Sequence, residues 1–186
     1  MEKVFRLIYN LIRIALIKIR FGKKVNISIV QPMRMSSSLL IQNKIKKIQI
    51  GNSFKLEENA KVRVINGGTL IVGDNCFFNC NSYMTVMGET VIGDNCSFGP
   101  NVLIFDHDHD FKVFNGLKAN KMIIGKIKIG NNVWIGGGSI ILRDSEIGDN
   151  SVIAAGSIVK GKIPSNTIFI QKRNNELIPY IQDKEL

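Results

Sequence analysis

Tryptophan occurs once in this 186-residue chain, histidine twice, cysteine three times and proline four times. An odd number of cysteines at no metal-ligand spacing excludes a disulfide framework and suits a reducing compartment. A long uncharged apolar run is also missing. Arg6, Arg13, Lys18 and Arg20 interrupt the Ile- and Leu-rich stretch from Val4 to Phe21, which is therefore not a membrane span. No small-residue cleavage site follows it, so it does not read as a secretory signal, and a cytoplasmic protein is expected. Acid is nearly absent from the first 47 residues, which hold 11 Lys and Arg against Glu2 alone. The remaining 139 residues hold 14 basic and 14 acidic side chains, so the net charge of +10 belongs to the amino-terminal segment. The neutral body offers no basic stripe for nucleic acid.

What the chain does have is a composition fit for one ordinary core, with 45% hydrophobic residues, 22% charged residues and a raised glycine count of 17. It also has an internal repeat. The phrase Ile-Gly-Asp-Asn or a close relative recurs at Ile50, Val72, Ile92, Ile129 and Ile147. Steps of six from Ile129 meet Ile135, Ile141, Ile147, Ile153 and Val159 without a break. Four residues after each of these aliphatics stand Val133, Ser139, Ser145, Ser151, Ser157 and Ile163, mostly small. One bulky and one small inward position per six residues predict a solenoid of triangular cross-section, three units to a coil. Gly, Asn and Asp after the aliphatic suit the corners, where a left-handed backbone is needed. The phase continues upstream through Ile92, Phe98 and Ile104, through Val72, Phe78 and Met84, and through Ile50, Leu56 and Val62. Cys76 and Cys96 fall on small inward positions and are expected to be core fillers. The interval of 37 residues from Ile92 to Ile129 exceeds one coil by 19, so a loop leaves near Phe105 and returns near Ile124. That excursion from a regular body is where function is sought.

These repeats resemble the hexapeptide-repeat acyltransferases, a resemblance that covers about residues 48–170 and implies a left-handed parallel β-helix. The order of a histidine-bearing loop, Trp134-Ile135-Gly136 and Ala154-Ala155-Gly156-Ser157 is similar to the sugar and antibiotic O-acetyltransferases. With the basic extension and the Asp-His-Asp-His-Asp loop, it resembles enzymes that acetylate bacterial capsular or other surface polysaccharides, using acetyl-coenzyme A without a metal. The domain reading is a basic extension over 1–47, a β-helix over 48–170 with a loop at about 105–125, and a tail over 171–186.

Both histidines, His107 and His109, lie in that loop. Acetyl transfer to a hydroxyl needs a base, and neutral imidazole serves at physiological pH when a carboxylate holds its tautomer. Asp106, Asp108 and Asp110 are candidates for the carboxylate; the resemblance favours His109 as base, with His107 second. It implies Trp134, Gly136, Ala154, Lys160 and Arg173 for coenzyme A, Asn79 and Asn81 for the sugar, and a homotrimer with sites between subunits. Where that family commonly reads Gly-Asn-Pro-Ala and a basic residue after the last repeat, this chain reads Ile170-Gln171-Lys172-Arg173-Asn174. A zinc site of the kind in the similar β-helix carbonic anhydrases uses three histidines, one more than the chain has. N-acetylation of an amino sugar or small amine and a membrane-attached scaffold are the competing readings. On a helical wheel, Lys3, Arg6, Asn10, Arg13 and Arg20 share one face and a broad apolar face opposes them, with Lys18 as an exception. Such a helix suits an anionic membrane surface or a neighbouring subunit.

Overall fold

The structure, a computed structural model, describes residues 2–28, 33–42 and 44–172; Arg173 and the rest of the expected tail lie outside the described residues. Among the described residues, three parallel sheets of seven, six and six strands form the walls of a solenoid. The first wall runs through Lys47–Ile50, Thr69–Val72, Glu89–Ile92, Lys126–Ile129 and Ser145–Ile147. The second runs through Phe77–Phe78, Ser97–Phe98, Trp134–Ile135 and Val152–Ile153, and the third through Lys61–Val64, Tyr83–Val86, Leu103–Phe105 and Ile140–Ile141. Each six-residue unit supplies one wall, so equivalent side chains stack in columns. Every aliphatic of the predicted series from Ile129 to Val159 is buried, as are the small residues that follow them. In one column Phe78 stacks on Phe98 at 4.1 Å between ring centres, and Phe54 meets Phe78 edge-on at 5.6 Å.

Cys76 and Cys96 fill small inward slots, their thiols 3.1 and 3.0 Å from the carbonyls of Gly93 and Gly130. The hydrogen bond to Cys96, together with burial, pushes the Cys76 thiol up, so it stays protonated. Ser151 occupies the same column and bonds the Pro164 carbonyl at 2.9 Å.

The corners explain the asparagines. Among the described residues 13 non-glycine residues have positive φ, and 11 of them are Asn. Side chains at the first corner tie each coil to the one before it. Asp74 Oδ1 accepts from the Asn52 N–H at 2.6 Å, Asp94 Oδ1 from Asp74 at 2.7 Å, and Asn131 Oδ1 from Asp94 at 2.9 Å.

The solenoid starts earlier than the expected boundary between residues 47 and 48. Val25–Ile27 pairs with Lys47–Ile50, and Ser38–Ile41 pairs with Lys61–Val64. The charge of the segment lies outside these two strands, which carry no lysine or arginine, and Val25, Ile27 and Leu39 are buried in the inward pattern.

Helix α1, Glu2–Phe21, caps the first coil. Ile14 is fully buried, and Ile17 and Phe21 pack against the core. Along the solenoid, N–H groups donate to carbonyls of the following coil, as from Arg34 to Leu56 and from Ser38 to Ala60. Carbonyls of the first coil lack a preceding donor. Asn10 Nδ2 donates to Met33 O at 2.8 Å and Arg13 Nη1 to Ser37 O at 3.1 Å, filling two of those places. The helix therefore docks through Asn10 and Arg13, part of the polar face that the wheel sets opposite the apolar one. Burial holds the Arg13 guanidinium below its usual range.

Phe98→Ala is expected to cost about 3–5 kcal/mol by removing a stacked column member. Cys96→Ser is expected to stay within about 1 kcal/mol, because serine serves the same column at Ser151. Urea unfolding of the two variants compares them directly.

Candidate active site

After Leu103–Phe105 the chain leaves the third wall as a two-stranded antiparallel hairpin, His107–His109 paired with Met122–Ile124. Its root is tight. The Gly125 N–H donates to Asp106 O at 2.9 Å, and a Cβ on Gly88 would meet Gly125 O at 2.1 Å. Glycine at position 88 lets the returning strand pass.

Asp106 is fully buried at this root. Its Oδ1 accepts from the Met87 N–H at 2.9 Å; its Oδ2 accepts from the Gly88 N–H at 3.0 Å and from the Thr90 hydroxyl at 3.2 Å. The same carboxylate lies 3.1 Å from Nδ1 of His107, whose side chain is 15% exposed. A buried carboxylate with fixed donors has one orientation available and imposes one on the ring. With Nδ1–H donated to Asp106, Nε2 of His107 is the acceptor nitrogen.

His109, favoured by the resemblance, lies on the same face of the strand but is exposed, and no side-chain partner is found for it among the described residues. Asp108 points the other way and its Oδ2 accepts from Arg143 Nε at 2.9 Å. Arg143 also pairs with Asp144, so it pins the hairpin to the next coil, and the hydrogen bond it donates to Asp108 raises its pKa. Asp110 bonds the Lys112 N–H within the loop. Neither Arg143 nor Thr90 was singled out from sequence. Each is distant along the chain from the residue it holds, and only coil registration brings it there.

Trp134 is 57% exposed on the second wall, outward as its register predicts. Gly136 ends that strand, where a Cβ would meet the Ala155 N at 2.5 Å, and half-buried Ala154 stands one coil on. Exposed Lys160 follows Ile158–Val159, two coils beyond Phe105 on the edge that carries His107. Asn79 and Asn81 sit at the corner before Tyr83–Val86, the opposite edge of the third wall. Asn79 Oδ1 caps the Cys80 N–H at 2.8 Å, and Asn81 has φ of 59°, so both serve the corner. One chain thus gathers Asp106, His107 and Lys160 on one edge, and Trp134, Ala154, Asn79 and Asn81 along another wall and corner. No group of three or more His, Cys, Asp or Glu is placed to share a metal ion among the described residues.

Residues 126–161 match the bacterial transferase hexapeptide (six repeats), and residues 69–104 match the hexapeptide repeat of succinyl-transferase. The repeats of this chain are thus similar to those of the hexapeptide-repeat transferases. The chain is 41% identical over 121 residues to the galactoside O-acetyltransferase of Escherichia coli, covering 65% of the chain and 48% of that relative. It is 26% identical over 144 residues to the Escherichia coli protein named "Putative lipopolysaccharide biosynthesis O-acetyl transferase", covering 69% of the chain and 74% of that relative. It spans about half the length of the galactoside relative. In fold it resembles a hexapeptide-repeat acetyltransferase of Vibrio cholerae solved with acetyl-coenzyme A, at 24% identity and a TM-score of 0.53, covering 90% of this chain and 79% of that one.

Asp106→Ala is expected to leave the Met87 and Gly88 N–H groups unpaired in a buried setting. The expected destabilisation is about 3 kcal/mol, read from the shift in denaturant midpoint against the parent protein.

Proposed function

We propose that this protein is an acetyl-coenzyme A-dependent O-acetyltransferase acting on a saccharide hydroxyl of a bacterial surface polysaccharide or its precursor, with His107 as the base. The observation that carries the reading is the fixed Asp106–His107 pair at the root of the hairpin. In the proposed step Nε2 of His107 takes the acceptor hydroxyl proton as that oxygen attacks the thioester carbonyl. The C–O bond forms, the C–S bond breaks, and the imidazolium returns its proton to the departing thiolate. Asp106 stabilises the imidazolium between these events. Galactoside O-acetyltransferase and the lipopolysaccharide-associated relative support a sugar hydroxyl as acceptor.

Trp134, Gly136, Ala154 and Lys160 are proposed to hold coenzyme A, and Asn79 and Asn81 the sugar. Because all of these except Lys160 occupy a different wall and corner from His107, they are proposed to meet it across a subunit boundary, and a homotrimer is proposed on that ground. Transfer to a panel of neutral sugars and amino sugars tests the function. His107→Ala is expected to lose about 10²–10⁴-fold in rate, whereas His109→Ala is expected to lose less than tenfold. Transfer only to amines would replace O- by N-acetylation. Equal rates in both variants and the parent would remove the histidine mechanism, and no transfer or coenzyme binding by any of them would leave a scaffold.

The location proposed is an anionic lipid surface. With the Asn10–Ile14–Phe21 side of α1 docked, Val4, Phe5, Ile8, Ile12, Leu16 and Ile19 stand exposed together, from 49% to 80%. No helix among the described residues is long and apolar enough to cross a membrane. Lys18, Arg20, Lys23 and Lys24 close the end of this face, so two copies set face to face in parallel would oppose like charges. Anionic headgroups meet the same arrangement favourably. Full-length protein is expected to sediment with vesicles containing phosphatidylglycerol, while Ile8→Asp/Ile12→Asp protein stays in the supernatant. Sedimentation of both would remove this placement.

A further inference from the structure

The outer face of the third wall, beside His107, carries a basic and aromatic row that catalysis does not use. Arg63 pairs in register with Thr85 and Thr85 with Phe105; Lys61 pairs with Tyr83. The inward neighbours Val62, Met84 and Ile104 are buried, which turns Lys61, Arg63, Tyr83 and Phe105 outward. Arg63 Nη1 donates to the Tyr83 hydroxyl at 2.9 Å. The Tyr83 and Phe105 rings meet edge-on at 6.0 Å, and Phe105 meets the His107 ring at 6.4 Å and 88°. Contacts therefore run unbroken from the guanidinium to the proposed base.

The charge on this row is unbalanced. Arg34 has Glu57 and Arg143 has Asp108 and Asp144, each as an ion pair. Among the described residues Arg63 has no carboxylate within 4.0 Å, and its side-chain hydrogen bond goes to a neutral phenol. A phenol occupies one of five guanidinium N–H donors. Burial alone would raise the Tyr83 phenol, but hydrogen bonds with Arg63 and Thr85 and the charges of Arg63 and Lys61 bring it below its usual range. The field along this wall is positive, although the body as a whole is neutral.

We infer that this row is an acceptor subsite for an anionic group on the saccharide, a carboxylate or a phosphate, held by Arg63 and approached over Tyr83 and Phe105. The inference rests on the acetyl-transfer reading and narrows its substrate class. A guanidinium matches the two oxygens of a carboxylate or phosphate as a fork, and aromatic faces accept the apolar side of a sugar ring. Arg63 and Phe105 lie two strand spacings apart, about 10 Å. The anion thus belongs one sugar unit or one phosphate linkage away from the hydroxyl attacked at His107.

The test is isothermal titration of full-length protein with digalacturonate, galactose 1-phosphate and neutral galactobiose, without acetyl donor. At least one acidic ligand is expected to bind roughly tenfold or more tightly than galactobiose, with the advantage shrinking as salt is raised. Digalacturonate alone would point to a ring carboxylate, and galactose 1-phosphate alone to a phosphate ester. Arg63→Gln is expected to reduce the acidic preference to about twofold or less, with Arg63→Lys between. Equal binding of acidic and neutral ligands, binding of none, or an acidic preference that survives Arg63→Gln would overturn the inference. Acetyl transfer in parallel separates the two readings. Acidic binding without transfer would remove the enzyme and keep the subsite, whereas transfer with no acidic preference would do the reverse.

Discussion

Axial stacking governs this molecule. Each six-residue unit must place one bulky and one small side chain over the equivalent pair of the coil beneath, because an inward polar group without a partner would be stranded in a narrow core. Everything else follows from that registration. Gly93 and Gly130 carbonyls receive the thiols of Cys76 and Cys96, and Asp74, Asp94 and Asn131 form their corner ladder, because each coil repeats the last. The hairpin is tolerated since it leaves and rejoins at a corner. Leu103–Phe105 and Lys126–Ile129 keep their columns as though no residues intervened.

The same registration builds the site from distant parts. Asp106 is the first residue past the third wall; Met87 and Gly88 occupy the matching corner one coil earlier, and Thr90 lies on the strand that follows it. Arg143 is on the coil after. His107 is thus oriented by three successive coils, a rigidity that a free loop of this length would lack. Sequence spacing alone gives no view of this, since the partners stand 16 to 19 residues before Asp106 and 35 residues after Asp108.

Fold was legible to the extent that side-chain period reports it. The inward series from Ile50 to Val159 was readable residue by residue, as were the outward Trp134 and the excursion after Phe105. The start of the solenoid was not. Val25–Ile27 and Ser38–Ile41 sit in a segment whose charge sets it apart, while its strands obey the same inward rule. Nor could a wheel assign the faces of α1, because Asn10 and Arg13 are buried for the backbone carbonyls they reach. The loop that carries both histidines of Asp-His-Asp-His-Asp was readable, but which of them meets a buried carboxylate depends on where the hairpin hinges.

Parallel coils carry a hazard at their ends, where main-chain groups face outward in strand geometry and invite another chain to continue the stack. On the first coil, the donors from Asn10 and Arg13 occupy the positions that an added coil would use, and the helix body lies across the approach. The cap therefore acts as a chain terminator. It ends at one coil a pattern of hydrogen bonding that nothing in the repeat itself would stop, and it keeps a self-similar sequence from growing into a fibre through that end.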